Sequence, residues 1–414
     1  MKNSTQTSTP LHWAWAILAI CFINLFINYS IRLGYGVVLP EMIRDLGFSR
    51  TEAGSIYNAY LFSYIALTPL TGYLTDRFGA RIVITTCTLL LAVGVLLMGT
   101  VTDLGTACLY YAIAGLGSTG MWTPVITLAQ RWYAVDRRGM ALGILSTGYG
   151  LGFATMGVAF PFIVNHLNWR FAWYFLGTGA VVMIFINGIF IRSTPESAGY
   201  APWGQQEETH DRINDRQVRS HGTLIKAVFK TKSFWFIGFS YFSISYCLYG
   251  FTTFMVDYAR FQIGLPLETA SLLATVHGVC QIIGVLTIVP LSDYIGRKKT
   301  LIFSNVFITV TIGSILFAGQ SLIMLFFLVG IIAVFHGATW PTYGACAGDY
   351  FPKELMGTVI GVWTPFYGLG AILAHWVGGI LRDSTGVYDH AFLTNTIMAG
   401  IAFLLMCAVK RERI

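Results

Sequence analysis

The chain has 414 residues, of which 55% are hydrophobic and 11% are charged, and its formal net charge is +7. Soluble domains carry about 25% charged residues, so this composition excludes a soluble globular protein and predicts an integral membrane protein. The positive charge does not require a nucleic-acid partner, because almost all Lys and Arg residues lie in the loops and tails predicted below.

Twelve apolar runs follow one another, each long enough for a helix that crosses a bilayer, which needs about 20 residues. In chain order they are Trp13–Leu39, Glu52–Thr75, Ile82–Thr100, Thr106–Ala129, Gly139–Val164, Phe171–Ile191, Phe234–Val256, Thr269–Leu291, Leu301–Ala318, Leu322–Ala347, Gly357–Ile380 and Ala391–Val409. We therefore predict an all-α integral membrane protein with twelve transmembrane helices in two pseudo-symmetric six-helix bundles. Residues 1–192 form the first bundle, 193–232 a polar cytoplasmic linker and 233–414 the second bundle.

The distribution of positive charge predicts the orientation of these helices. With both termini in the cytoplasm, 20 of the 26 Lys and Arg residues fall on the cytoplasmic side and five on the outer side. Cytoplasmic loops of membrane proteins are enriched in Lys and Arg, so we predict a cell-membrane protein with both termini inside. The one residue left over is Arg32, within the first run.

Arg32 lies in a polar row, since Asn24, Asn28 and Arg32 are four residues apart and share one face of a helix, with Tyr29 beside them. Such rows face a bundle interior or a water-filled cavity. No carboxylate lies well inside a predicted helix, so a substrate carboxylate is the expected counter-ion of Arg32. The alternative is a structural Arg32 whose side chain snorkels to the outer surface, about 10 Å away.

The two halves of the sequence repeat each other. The loop after the second run, "GYLTDRFGAR", recurs 217 residues later as "VPLSDYIGRK". Gly72 is expected to allow close helix approach, Gly79 to form a tight turn, and Asp76 to face a helix N-terminus. The complete motif set is Gly72, Asp76, Arg77, Gly79 and Arg81, with Asp293, Gly296 and Arg297 in the second copy. Duplicated halves predict a substrate site at their interface near mid-membrane.

The loop motif G-x-L-T-D-R-x-G-x-R resembles the signature of the major facilitator superfamily, in which it helps to latch the outward-open state. Stretches such as "RWYAVDRRGMALGI" and "SFWFIGFSYF" look like those of its monocarboxylate and oxalate/formate transporter groups. The Arg in "RLGYGVVLP" resembles the residue that binds the substrate anion in organic-anion transporters, which implies this role for Arg32. The second cation of those groups has no counterpart here, which argues against a dianion or a phosphate ester.

Aromatic residues are expected to form the cavity wall. Tyr249 stands at the repeat position of Arg32, and Trp122 and Trp340 are 218 residues apart in the fourth and tenth runs. Trp363 and Tyr367 lie in the eleventh run. An aromatic cavity with one Arg suits a small, partly apolar monoanion, although packing between helices is the alternative for each aromatic side chain. Pro in "WTP" and "WPT" also permits local helix breaks.

Three histidines within the runs, His277, His336 and His375, are candidates for proton coupling, and hydrogen bonding between helices is the alternative for each. His336 is favoured because it lies four residues before Trp340 and shares its face. The sequence has no catalytic triad, metal-ligand spacing or nucleotide-binding loop, and its cysteines lie in apolar segments. We therefore expect no enzyme activity, no cofactor and no metal site.

These observations predict a secondary transporter that moves a small organic anion, most simply a monocarboxylate, by alternating access with proton symport. Arg32 would bind the carboxylate, Asn28, Tyr29 and Tyr249 would position it, and the aromatic residues would form the wall. The alternatives are an exporter of amphipathic or neutral compounds, an organic-anion antiporter and a non-transporting sensor. The expected partners are the substrate and the lipid bilayer, with the protein acting as a monomer.

Overall fold

The computed structural model describes residues 12–134, 137–204, 221–318, 321–352 and 355–410. Its long helices span the predicted runs. In chain order the α-helices are α1 (Trp13–Leu46), α2 (Arg50–Phe78), α3 (Ala80–Met98), α4 (Leu104–Ser118), α5 (Thr123–Trp132), α6 (Arg138–His166), α7 (Trp169–Phe190), α8 (His221–Lys230), α9 (Lys232–Asp257), α10 (Leu267–Ile295), α11 (Arg297–Ile315), α12 (Leu322–Tyr350), α13 (Met356–Thr385) and α14 (Asp389–Ala408).

The predicted fold is confirmed, with twelve spans in two bundles of six within the described ranges. The first bundle holds α1–α7, where α4 and α5 together make the fourth span, and the second holds α9–α14. Eight of these helices are long and apolar enough to cross a membrane by composition alone. The bundles pack against each other through three main helix pairs, α1 with α9, α2 with α13 and α6 with α10.

The fourth span is broken and its repeat partner is not. A 3₁₀ turn, Thr119–Met121, separates α4 from α5, and Trp122 between them has φ −114° and ψ −77°, away from the ideal α-helical values. A Cβ atom on Gly120 would lie 2.3 Å from the Cβ of Cys87, so the break packs tightly on α3. In the second bundle, α12 continues through Pro341. Pro therefore permits a helix break but does not require one, because neighbouring groups can form hydrogen bonds with the backbone carbonyl that Pro leaves unpaired.

The predicted linker contains structure of its own, although residues 205–220 lie outside the described part of the chain. Trp203 packs edge-to-face on Trp15, with ring centroids 5.2 Å apart, and on Tyr133, at 5.6 Å. Its backbone N–H donates to the carbonyl of Trp132 at 2.9 Å. The beginning of the linker is thus held against the first bundle, and α8 precedes α9 near the same membrane face.

Two sides of the molecule can be distinguished. We call the side where α1 begins and α14 ends the terminus side, and the opposite side the far side. On the far side, Arg50 Nε lies 3.1 Å from an Asp257 oxygen and Arg260 Nε lies 3.5 Å from a Glu41 oxygen. Both pairs join the two bundles. The bundles are therefore held together on the far side, and the cavity described next lies on the terminus side of this closure.

Candidate functional site

A central cavity of about 90 Å³ lies between the bundles. Side chains from α1, α2, α6, α9, α10, α12 and α13 line it, together with Trp122 at the break of the fourth span. Its polar and aromatic lining residues include Tyr29, Arg32, Tyr64, Trp122, Tyr149, Tyr249, Gln281, His336, Trp340 and Tyr367. Within the described residues no Asp or Glu lines this cavity.

Arg32 lies in the cavity wall and is only 7% exposed. Its Nη2 donates a hydrogen bond of 2.6 Å to the hydroxyl of Tyr249, and its guanidinium carbon lies 5.1 Å from the ring centroid of Tyr64. Its Nε has no hydrogen-bond partner, and in the described part of the chain no carboxylate forms a salt bridge with it. The site therefore holds a nearly buried cation whose hydrogen-bonding capacity is incompletely used.

The snorkelling alternative for Arg32 disagrees with the structure. Helix α1 continues past Pro40 to Leu46, whereas the sequence predicted its end at Leu39. Glu41 stabilises this extension, because it pairs with Arg44 one turn later and with Arg260 across the bundles. Arg32 is therefore farther from the helix end than predicted, and its side chain contacts the second bundle.

Arg32 and Tyr249 occupy equivalent positions of the sequence repeat, 217 residues apart, and they contact each other. Trp122 and Trp340 occupy nearly equivalent positions of the repeat, 218 residues apart, and they also contact each other. Their rings meet edge-to-face with centroids 6.2 Å apart. When two copies of one structural unit face each other, equivalent positions near the interface come close together. The repeat thus places a charged residue of one half against an uncharged residue of the other.

Aromatic rings form most of the remaining wall. Tyr29 packs on Tyr149 with ring centroids 4.3 Å apart, and Trp340 packs edge-to-face on Tyr367 at 5.4 Å. Edge-to-face and offset contacts of this kind fix the orientation of rings and leave their faces available for apolar parts of a ligand. The wall combines these apolar surfaces with the tyrosine hydroxyls.

Two of the predicted substrate-binding residues lie outside this lining. Asn28 faces the interior of the first bundle, where its side-chain oxygen accepts a hydrogen bond of 2.6 Å from Ser118. Trp363 is buried in the second bundle, and its ring nitrogen donates to the carbonyl of Phe234 at 3.2 Å. Helical spacing predicts a shared face but not which neighbour that face contacts, and in this conformation neither residue is among those that line the cavity.

The three histidines differ in their surroundings. His336 lines the cavity, and its Nδ1 lies 3.2 Å from Nε2 of His277, which is fully buried behind it. His375 lies between the bundles, with Nδ1 2.7 Å from the side-chain oxygen of Asn58 and Nε2 3.0 Å from the hydroxyl of Thr253. His336 is thus the histidine among them with access to a bound substrate.

Sequence reasoning missed several lining residues, among them Tyr64, Tyr149 and Gln281. Gln281 had a usable signal, because it lies four residues after His277 and is a lone amide in an apolar helix. Tyr64 and Tyr149 had weaker signals, since tyrosines are frequent in this chain and periodicity alone cannot distinguish a cavity wall from helix packing.

The loop motif lies on the terminus side. Asp76 pairs with Arg131 at 3.2 Å, so it contacts a side chain of the first bundle rather than the helix N-terminus that the sequence suggested. Gly79 and Gly296 have φ values of 84° and 96°, which favour glycine at both turns. A Cβ atom on Gly72 would meet open space, so the expected close helix approach at this residue is absent from this conformation.

The other charged residues of the motif also remain within their own bundles. Arg77 donates to the hydroxyl of Tyr73 at 3.3 Å, and Arg81 donates to the carbonyl of Gly188 at 2.8 Å. In the second copy, Arg297 pairs with Asp293 one turn earlier. These contacts fix the two turns, and none of them joins the two bundles.

Two six-helix bundles from duplicated halves, packed around a central cavity, are the architecture of secondary transporters. The model of the Major Facilitator Superfamily matches residues 21–270 and, a second time, residues 258–413. The chain therefore belongs to the Major Facilitator Superfamily, and it is a membrane transporter and not an enzyme.

Several known transporters are similar to the chain over nearly their full length. The probable sulfoacetate transporter SauU of Cupriavidus necator is 23% identical, covering 94% of this chain and 92% of that protein. The hexuronate transporter of Bacillus subtilis is 23% identical, with 95% and 93% covered. The 4-hydroxybenzoate transporter PcaK of Acinetobacter baylyi is also 23% identical, with 96% and 91% covered.

Solved structures agree on the fold. A bacterial homologue of the human lysosomal transporter Spinster, in an inward-facing and unoccupied conformation, matches with a TM-score of 0.77. The two chains are 16% identical, and the match covers 97% of this chain and 98% of that chain. The nucleoside transporter NupG matches with a TM-score of 0.73.

Proposed function

We propose that this transporter moves a small organic anion, most simply a monocarboxylate, by alternating access. The observation that carries the proposal is the guanidinium of Arg32, which is almost buried in the central cavity with Tyr249 as its hydrogen-bonded partner. A buried cation without a protein carboxylate is unfavourable, and a substrate carboxylate that accepts two N–H bonds supplies the missing charge.

The rest of the lining supports one negative charge and an apolar body. Tyr29, Tyr149, Trp122, Trp340 and Tyr367 provide ring faces and edges around a single cation. The similar transporters are named for sulfoacetate, hexuronate and 4-hydroxybenzoate, and each of these compounds carries an acid group. A singly charged carboxylate with an apolar or aromatic part matches both observations.

The proposal also includes the orientation in the membrane and the coupling of transport to protons. We infer that the terminus side is cytoplasmic, because most Lys and Arg residues belong to it, and that the protein resides in the cell membrane as a monomer. The present conformation is then closed to the outside. Transport is coupled to proton symport, with His336 as the proton carrier, since it is a titratable side chain in contact with the cavity.

Uptake of radiolabelled benzoate into proteoliposomes, with an inward pH gradient, tests the anchor role of Arg32. The variant Arg32→Gln is expected to lose about 30-fold or more in apparent affinity, because one partner of a buried charge pair is removed. The matched control Lys299→Gln removes an exposed positive charge outside the cavity and should leave uptake unchanged.

Unchanged benzoate uptake by Arg32→Gln would overturn the proposal. Competition by benzamide that equals competition by benzoate would also contradict it, and would favour the alternative of an exporter of neutral compounds. Thermal unfolding of the purified variant should accompany both measurements, so that a misfolded protein is not mistaken for an inactive one.

A further inference from the structure

A second polar group of residues lines the cavity apart from Arg32. It consists of Gln281 on α10, His336 on α12 and Tyr149 on α6. Gln281 is 2% exposed, and its side-chain oxygen has no hydrogen-bond partner. Buried polar atoms in folded proteins nearly always have a partner, so an unpartnered acceptor in a cavity wall marks a position where a ligand can donate.

Tyr149 lines the same cavity as Gln281 and His336. The side-chain oxygen of Gln281 can only accept hydrogen bonds, so a ligand group that pairs with it has to be a donor. Tyr149 in turn packs on Tyr29 and is held in place within the wall.

The tautomer of His336 follows from the residue behind it. Nδ1 of His336 lies 3.2 Å from Nε2 of His277, while Nδ1 of His277 is buried without a partner. An orphaned N–H is rarer in proteins than an orphaned acceptor, so we assign the proton of His277 to Nε2, which donates to His336. His336 then carries its own proton on Nε2, on the side of the cavity.

We propose that Gln281 and His336 together bind a hydroxyl group of the substrate, so that the transported anion is a hydroxy-substituted carboxylate. A hydroxyl donates to the Gln281 oxygen and accepts from Nε2–H of His336, which satisfies both groups at once. Tyr149, 3.5 Å from Nε2 of His336, is at the outer limit of a hydrogen bond and competes weakly for that proton.

A hydroxyl fits this pair better than an ammonium group does. An ammonium group has no acceptor for the N–H of His336, and no Asp or Glu of the described chain lines the cavity to balance its charge. An acid without a hydroxyl, held at Arg32, would leave the Gln281 oxygen without a donor and His336 with only its weak contact to Tyr149. The inference rests on the proposed function, since it assumes that Arg32 binds the carboxylate.

The test measures binding of matched acid pairs to the purified transporter by isothermal titration calorimetry. The pairs are benzoate with its three hydroxybenzoate isomers, and hexanoate with 6-hydroxyhexanoate. At least one hydroxy acid is expected to bind about 10-fold more tightly than its plain partner, because it satisfies two buried groups. In Gln281→Met this preference should disappear, because the acceptor for the hydroxyl is removed.

The control Thr287→Met places the same side chain on an exposed position of α10 and should keep the hydroxyl preference. Equal binding of plain and hydroxy acids in every pair, or an unchanged preference in Gln281→Met, would overturn this inference while leaving the proposed function intact. Affinities that do not respond to Arg32→Gln in either series would instead overturn the proposed function.

Discussion

At the scale of single residues, one side chain of the cavity wall carries a charge and others provide hydrogen-bonding groups. Among the described lining residues Arg32 is the only Lys or Arg, while Tyr249, Gln281 and His336 provide polar groups that form hydrogen bonds. The guanidinium contacts the hydroxyl of Tyr249 and the ring of Tyr64, and in the described structure no carboxylate pairs with it, so under the proposed function a substrate anion completes its surroundings. The place of Arg32 in a cavity wall was predictable from the sequence, since charged residues within apolar runs face a bundle interior or a cavity.

A second prediction at this scale concerns His336 and proton coupling. Its contact with the cavity predicts that His336→Gln abolishes benzoate accumulation driven by a pH gradient while exchange of external for internal benzoate continues. Exchange needs no net proton movement, so a carrier without its titratable group can still perform it. The control His390→Gln removes an exposed histidine and should keep both activities. Gradient-driven accumulation in His336→Gln would exclude His336 as the proton carrier.

At the scale of helices, glycines determine how closely the spans approach. A Cβ atom on Gly284 of α10 would lie 1.8 Å from the carbonyl oxygen of Val334 on α12. A Cβ atom on Gly278 would lie 2.3 Å from the carbonyl oxygen of Gly150, across the two bundles. Small residues at such contacts let helix backbones meet in a membrane, where packing drives association. The sequence shows many glycines, but only the structure distinguishes those at contacts.

Substitution of Gly284 tests this distinction. We expect Gly284→Ala to destabilise the protein by about 1–3 kcal/mol, because the added methyl group cannot fit without separating α10 from α12. The control Gly361→Ala introduces the same methyl group where no atom lies within 4 Å, and it should be neutral or slightly stabilising. Thermal unfolding in detergent measures both, and equal melting temperatures would contradict the assignment of Gly284 to a tight contact.

At the scale of the whole molecule, the bundles are held together on the far side by charged contacts. Asp257 is fully buried and bonds to Arg50 of the other bundle and to the hydroxyl of Tyr388. Arg260 and Glu41 form a second pair between the bundles. Alternating access requires these contacts to break and re-form, so they set part of the free-energy difference between the two conformations.

Neutralising Asp257 should therefore shift the conformational equilibrium. In Asp257→Asn, the loss of a charged hydrogen bond is expected to destabilise the far-side closure by about 1.5–3 kcal/mol. Hydrogen exchange followed by mass spectrometry should show faster exchange at the start of α2 and the end of α9. Asp293→Asn breaks a pair within the second bundle on the terminus side and serves as the control. Unaltered far-side exchange in Asp257→Asn would show that this pair does not hold the bundles together.

The sequence by itself determined the membrane class, the twelve spans, the duplicated halves and the position of Arg32 within a span, because hydropathy, repeats and a charge within an apolar run are local properties of the chain. Only the tertiary structure decided which polar residues meet. Asn28 bonds within its own bundle, Trp363 packs away from the cavity, and Gln281 enters the wall beside His336. Helical periodicity gives the face on which a side chain lies, whereas the contacts of that face depend on how two bundles pack together.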